Sequence, residues 1–158
     1  MRKSIITAVT ATVLATGAFI PAVVSAQEIE PIRVTMELGS ASDNLHRFHP
    51  DHTTFKSGTL YTLVVTNPTS NVHEIDSEGL VGAVLSVETV VFDDVGDDAQ
   101  KIAMVVGAPK EIVFYPGSRA EWTFWAVEPG DYELVCFTEE KDGTTHWDAG
   151  MKGTFTIE

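Results

Sequence analysis

Four side chains stand out for the chemistry they could do together. Cys136 is the chain's only cysteine, and the stretch GDYELVCFTEEKDGTTHWDAGMKGTFTIE around it also holds His146 and Met151. A second imidazole, His73 in NPTSNVHEI, lies far upstream. A thiolate, two imidazoles and a thioether form a mixed nitrogen and sulfur set that suits copper, with the thioether as a long, weak axial ligand. Such a set moves single electrons if its four members meet. Taken singly, each has a simpler reading: a buried inert thiol, a loop histidine, a core methionine. A lone cysteine in an exported chain closes no internal disulfide, so Cys136 is buried and inert, pairs between chains, or does chemistry.

Other clusters carry weaker signals. His46, His49 and His52 in LHRFHPDH are spaced by three, so an extended chain would not align them on one face. Pro50 opposes a helix that could. They read as surface histidines, with a weak outer copper or zinc site as the alternative. Asp93, Asp94, Asp97 and Asp98 lack the spacing and closing glutamate of a calcium loop and read as a solvated acidic turn. Glu139, Glu140 and Lys141 read as a solvated loop tip. Trp147 either rims the His146 edge or packs against the long loop before it.

The elements that must position these residues are strands. Short alternating runs separated by Gly, Pro, Asn and Asp predict an all-β chain. Residues 31–38 place Ile32, Val34 and Met36 on one face, and 45–50 form a short, weak strand. In 60–67, Tyr61, Leu63 and Val65 face one way, and the run ends at Asn67-Pro68, a turn signal. Residues 79–92 read as one or two irregular strands, 98–106 as a helical turn or a strand, with a short helix at its start preferred, and 110–115 as extended. The run 119–127 sets Trp122, Phe124 and Ala126 together, 131–137 sets Tyr132, Leu134 and Cys136 inward, and 152–158 closes the chain. About eight strands at this spacing predict an antiparallel Greek-key β-sandwich with room for one short helix.

The amino terminus predicts export. Arg2 and Lys3 precede an apolar run from Ile5 to Ile20, and Val24-Ser25-Ala26 is a small-residue cleavage site. Residues 1–26 are thus expected to be a signal peptide and 27–158 a single domain. Cleavage removes two basic residues and no acidic ones, so the formal charge moves from 10 − 23 = −13 to 8 − 23 = −15. Such a surface disfavours nucleic acid and anionic lipid, and it can steer a basic partner.

At this point the sequence resembles the cupredoxins, the small blue copper proteins. FHPDHTTFKSGTLYTLVVTNPTSNVHEI is similar to the family's early block, with the first copper histidine at its end. EIVFYPGSRAEWTFWAVEPGDYELVC is similar to the strand-turn-strand that leads to the copper cysteine, and HWDAGMKGTFTIE to the closing histidine and methionine block. The resemblance implies a cupredoxin-like sandwich with one type 1 copper ion, held by His73, Cys136 and His146 with Met151 axial. It implies a monomeric periplasmic electron carrier, not an enzyme, whose partner is a redox protein such as a c-type cytochrome. A copper-binding carrier or chaperone without a dedicated electron-transfer role is the alternative, and a metal-free interaction module a third reading.

Two departures stand against the family pattern. Nine residues, FTEEKDGTT, separate Cys136 from His146, more than in small cupredoxins and close to the blue-copper domain of copper nitrite reductases. The chain is too short for the second domain that nitrite reduction needs. Phe137 stands where the family often has Ser or Thr, which alters hydrogen bonding near the sulfur and with it the redox potential.

Overall fold

In the computed structural model, residues 29–40 and 46–158 are described, and the expected signal peptide lies outside them. The described residues form eleven strands and one short helix. In chain order these are β1 (Ile32–Leu38), β2 (Phe48–His49), β3 (His52–Phe55), β4 (Leu60–Thr66), β5 (His73–Asp76), α1 (Glu78–Ala83), β6 (Val84–Phe92), β7 (Lys101–Val105), β8 (Glu111–Phe114), β9 (Arg119–Ala126), β10 (Gly130–Val135) and β11 (Lys152–Ile157). They build two sheets, ordered β2-β1-β4-β9-β6-β7 and β3-β11-β10-β5-β8. The β-sandwich is as the sequence predicts. Within it most neighbours are antiparallel, but β1 pairs β4 and β3 pairs β11 in parallel. Alternation reports which face is buried and says nothing about the direction of a partner strand, so the sequence could not show this.

The core lies between the sheets and follows the alternation. In β9, Ala120, Trp122, Phe124 and Ala126 are all buried. Phe55 meets Tyr61, Phe124 and Phe155 at ring-centroid distances of 5.0, 5.3 and 5.5 Å. Such aromatic contacts add about 1 kcal/mol each beyond area burial. The central strand β4 is buried on both faces, where simple alternation predicts one. On its outer face Thr62 bonds Thr123 at 2.9 Å, while Arg33 and Glu121, which flank β4 in the sheet, pair at 3.1 Å across it.

The middle of the chain departs most from expectation. The helix is α1, upstream of the place where the sequence suggests one, and 101–105 takes the strand alternative as β7. Gly79 and Gly82 make 78–83 a poor helix by propensity, but Leu80 and Ala83, three residues apart, bury one face. Gly79 also lies against the Tyr132 ring, which a Cβ would approach to 3.2 Å. Strand β6 then runs along β9, with a register shift between Ser86 and Glu88. No helix among the described residues is long and apolar enough to cross a membrane.

Candidate metal centre

Sheet order explains how distant residues meet. β10 lies beside β5, antiparallel, with Val135 opposite Asp76. The chain leaving β10 therefore runs back along β5, and Cys136 to Thr138 pass Glu74 and His73. The Glu74 amide donates to Cys136 Sγ at 3.3 Å, and the Phe137 amide donates to the Glu74 carboxylate. The segment 136–151 then returns the chain to β11. The His146 amide donates to the Thr138 carbonyl at 2.9 Å, and the Met151 amide to the His146 carbonyl at 2.8 Å. Gly150, at φ 100°, makes the turn that brings Met151 inward.

His73, Cys136 and His146 place one donor atom each within 4.8 Å of one another. His73 Nδ1 lies 3.1 Å from His146 Nδ1, and Cys136 Sγ lies 3.4 Å from the same nitrogen. His73, Cys136 and Met151 have no exposed surface, and His146 almost none. Met151 belongs to the same buried cluster as Cys136. His73, Cys136 and His146 thus come together where β5, the end of β10 and the returning loop meet, and Met151 lies buried at the end of that loop, joined to His146 through the backbone.

The outer nitrogens explain how the rings are held. His73 Nε2 is 3.0 Å from the Thr69 hydroxyl, which also lies 2.8 Å from Asn67 Oδ1. With its proton given to Asn67, that hydroxyl accepts from His73 Nε2–H and leaves an unshared pair on Nδ1, facing inward. Asn67 is itself buried and donates to the Asn71 and Phe114 carbonyls. His146 has an acceptor on each side: Glu140 Oε1 at 3.1 Å from Nε2, and His73 Nδ1 inside. When its proton sits on Nε2, two bare nitrogens and a sulfur face one another. Such a set of electron-pair donors fits a soft or borderline cation, and the residues present suit copper.

The protonation states agree. Burial, with the neighbouring His146 and His46, lowers the His73 pKa to about 4. Burial also lowers that of His146, against the opposing Glu140 carboxylate. Burial raises the Cys136 thiol, offset in part by hydrogen bonds from Thr138 and Glu74. At neutral pH both rings are neutral and ready to donate, and the thiol keeps its proton until a cation displaces it.

Several residues near this centre were not legible as such in the sequence. Asn67 carried only a turn signal, and Thr69 none. Glu140, expected at a solvated tip, bonds His146. His46, expected on the surface, is half-buried and packs against His146, with ring centroids 4.2 Å apart and planes inclined by 52°. His49 and His52 do not join it: His49 is half-buried on β2, and His52 is exposed on β3 beside the Thr54 and Thr156 hydroxyls. Trp147 lies 5.6 Å from Phe137 and stacks under the Lys152 ammonium at 3.7 Å. The aspartate loop is closed by the Gly96 and Gln100 amides, which donate to the Asp94 and Asp93 carboxylates.

No family model matches the sequence, and no curated protein matches it. Solved structures match by shape. Part of the multicopper oxidase from Campylobacter jejuni, a metallo-oxidase, superposes on 84% of this chain at TM-score 0.56 and 13% identity. The fold is cupredoxin-like. The chain spans 31% of that oxidase, so the likeness is one of fold alone. Auracyanin from the photosynthetic bacterium Roseiflexus castenholzii matches over 83% of this chain and 99% of its own, at 18% identity and TM-score 0.47. Auracyanin A, a "blue" copper protein from Chloroflexus aurantiacus, matches over 82% and 100%, at 14% identity and TM-score 0.47. The likeness in fold rests on the oxidase superposition.

Proposed function

We propose that this chain is an exported cupredoxin that holds one type 1 copper ion and carries single electrons between redox proteins. The observation that supports this is the convergence of His73 Nδ1, Cys136 Sγ and His146 Nδ1 from separate segments into one buried cluster. Met151, buried and joined to His146 through its amide, would add a thioether donor to the set. Bound copper supplies a one-electron couple. The residues supply a closed donor set: Thr69 holds the His73 ring, Glu140 accepts a hydrogen bond from His146 Nε2–H, and the Glu74 amide donates to the sulfur. Because these groups belong to a packed sandwich, little needs to rearrange when charge changes. Four protein ligands also leave no open position for a substrate, which favours a carrier over an enzyme.

Exposed Phe137 follows Cys136 directly, and Trp147 follows His146 directly, so their contact forms an aromatic surface beside the centre. We assign electron entry and exit to that surface. The charge of 8 − 23 = −15 on residues 27–158 favours a basic partner, such as a c-type cytochrome. Cleavage after Ala26 and a periplasmic location follow from the amino-terminal pattern. The deciding measurement is an absorption spectrum of protein loaded with Cu(II). An intense sulfur-to-copper band that Cys136→Ser removes supports the reading, and a colourless complex that holds only Cu(I) overturns it.

A further inference from the structure

The geometry points to a second cation site, formed by His46, Glu140 and His146 on the solvent side of the first, which captures Cu2+ or Zn2+ before the metal passes inward. The inward step rests on the copper reading above; the outer site does not. One donor atom from each of the three residues lies within 4.8 Å of the others. Glu140 Oε1 stands 3.1 Å from His146 Nε2 and 3.8 Å from His46 Nε2. Donors held about 2.1 Å from a tetrahedral metal lie about 3.4 Å apart, so these separations bracket the expected value. Two imidazoles and one carboxylate are a familiar set for a borderline divalent ion, with water completing the shell.

The surroundings give the outer site a purpose. The inner donors His73 and Cys136 have no exposed surface, so a metal needs a route to them. A cleft of about 250 Å³, lined by Asn71, Thr138, Glu140, Lys141 and His146 among others, opens on the Glu140–His146 pair. His146 belongs to both sets, with Nδ1 turned inward and Nε2 outward. While its proton sits on Nδ1, donated to His73 Nδ1 at 3.1 Å, the Nε2 pair faces the outer site. Once Nδ1 is a ligand inside, the proton belongs on Nε2 and is donated to Glu140. One neutral imidazole serves one metal at a time, so filling the inner centre withdraws the third ligand from the outer one.

Two experiments test this. Zinc chloride is titrated calorimetrically into His73→Ala/Cys136→Ser protein, which keeps the outer set and lacks the inner one. We expect one equivalent to bind, and adding His46→Ala to weaken it roughly tenfold or more. No zinc binding by the folded double variant, or binding indifferent to His46, overturns the site. Should the double variant not fold, loading of the unaltered protein decides, followed by stopped-flow appearance of the copper–thiolate band. Its rate is expected to saturate with Cu2+, as capture before transfer requires, whereas His46→Ala should load roughly tenfold more slowly and without saturation. A rate linear in copper throughout, or one unchanged by His46→Ala, overturns the proposal. If the unaltered protein shows no such band at any copper concentration, the electron-carrier reading fails, and the zinc titration judges the outer site alone.

Discussion

The Thr69 hydroxyl lies 3.0 Å from His73 Nε2 and 2.8 Å from Asn67 Oδ1, which fixes the ring so that Nδ1 faces Cys136 and His146. A turn residue thereby decides which nitrogen of a buried histidine is free to bind. Thr69→Val keeps the shape and removes the acceptor. Its expected effect is copper affinity weaker by roughly 10–100-fold, measured by competition with a chelator. Thr69→Ser should restore most of it, which a purely packing role would not require.

Copper uptake should release protons. At pH 7 both imidazoles are neutral, because burial lowers them, and the Cys136 thiol is protonated, because burial raises it. Binding of Cu(II) is therefore expected to release about one proton, from the sulfur, in a weakly buffered titration. Release near zero would show that the sulfur is not a ligand.

Stability of the metal-free protein should fall in acid. In the unfolded chain His73 takes up a proton near 6.5, and in the folded protein only at about 4. Between those values the unfolded state binds more protons, so stability is full above pH 6.5 and is lost as pH falls through about 4. The whole gap amounts to roughly 3 kcal/mol. Denaturant titrations at pH 7.5 and 4.5 capture most of it, and His73→Gln should flatten the difference. His146, lowered in the same direction, acts in the same sense.

Gly153, the second residue of β11, sits where the sheet admits no side chain. A Cβ there would meet the Asp51 carbonyl oxygen at 2.6 Å, beside the bond from the Thr154 amide to that same oxygen at 2.8 Å. Gly153→Ala is expected to destabilise the fold by roughly 1–3 kcal/mol, read from the denaturation midpoint. Since β11 follows the loop that carries Met151, copper affinity should fall with it.

The aromatic contact at the surface predicts a kinetic effect without a structural one. Phe137→Ser removes exposed apolar area next to Cys136. Electron exchange with a basic cytochrome should slow several-fold while the fold, followed by thermal melting, holds within roughly 0.5 kcal/mol. An unchanged exchange rate would place the docking surface elsewhere.

Much of this protein could be read from its residues in order. Alternation in 119–127 and 152–158 foretold strands and their buried faces, because a side chain's face follows from its parity along an extended chain. The donor types pointed to His73, Cys136 and His146, whose donor atoms the fold brings within 4.8 Å of one another. What order along the chain could not carry was adjacency. A four-residue strand such as His73–Asp76 has too little pattern to be seen, yet its place beside β10 sets the imidazole against the thiol. Glu140 read as solvated because nothing local shows His146 beside it, and His46 read as surface because its partner lies a hundred residues away. Parity and residue type are local properties and were legible; which strands are neighbours, which nitrogen is free and which carboxylate is shared are set by packing across the sheets, and only the folded chain decides them.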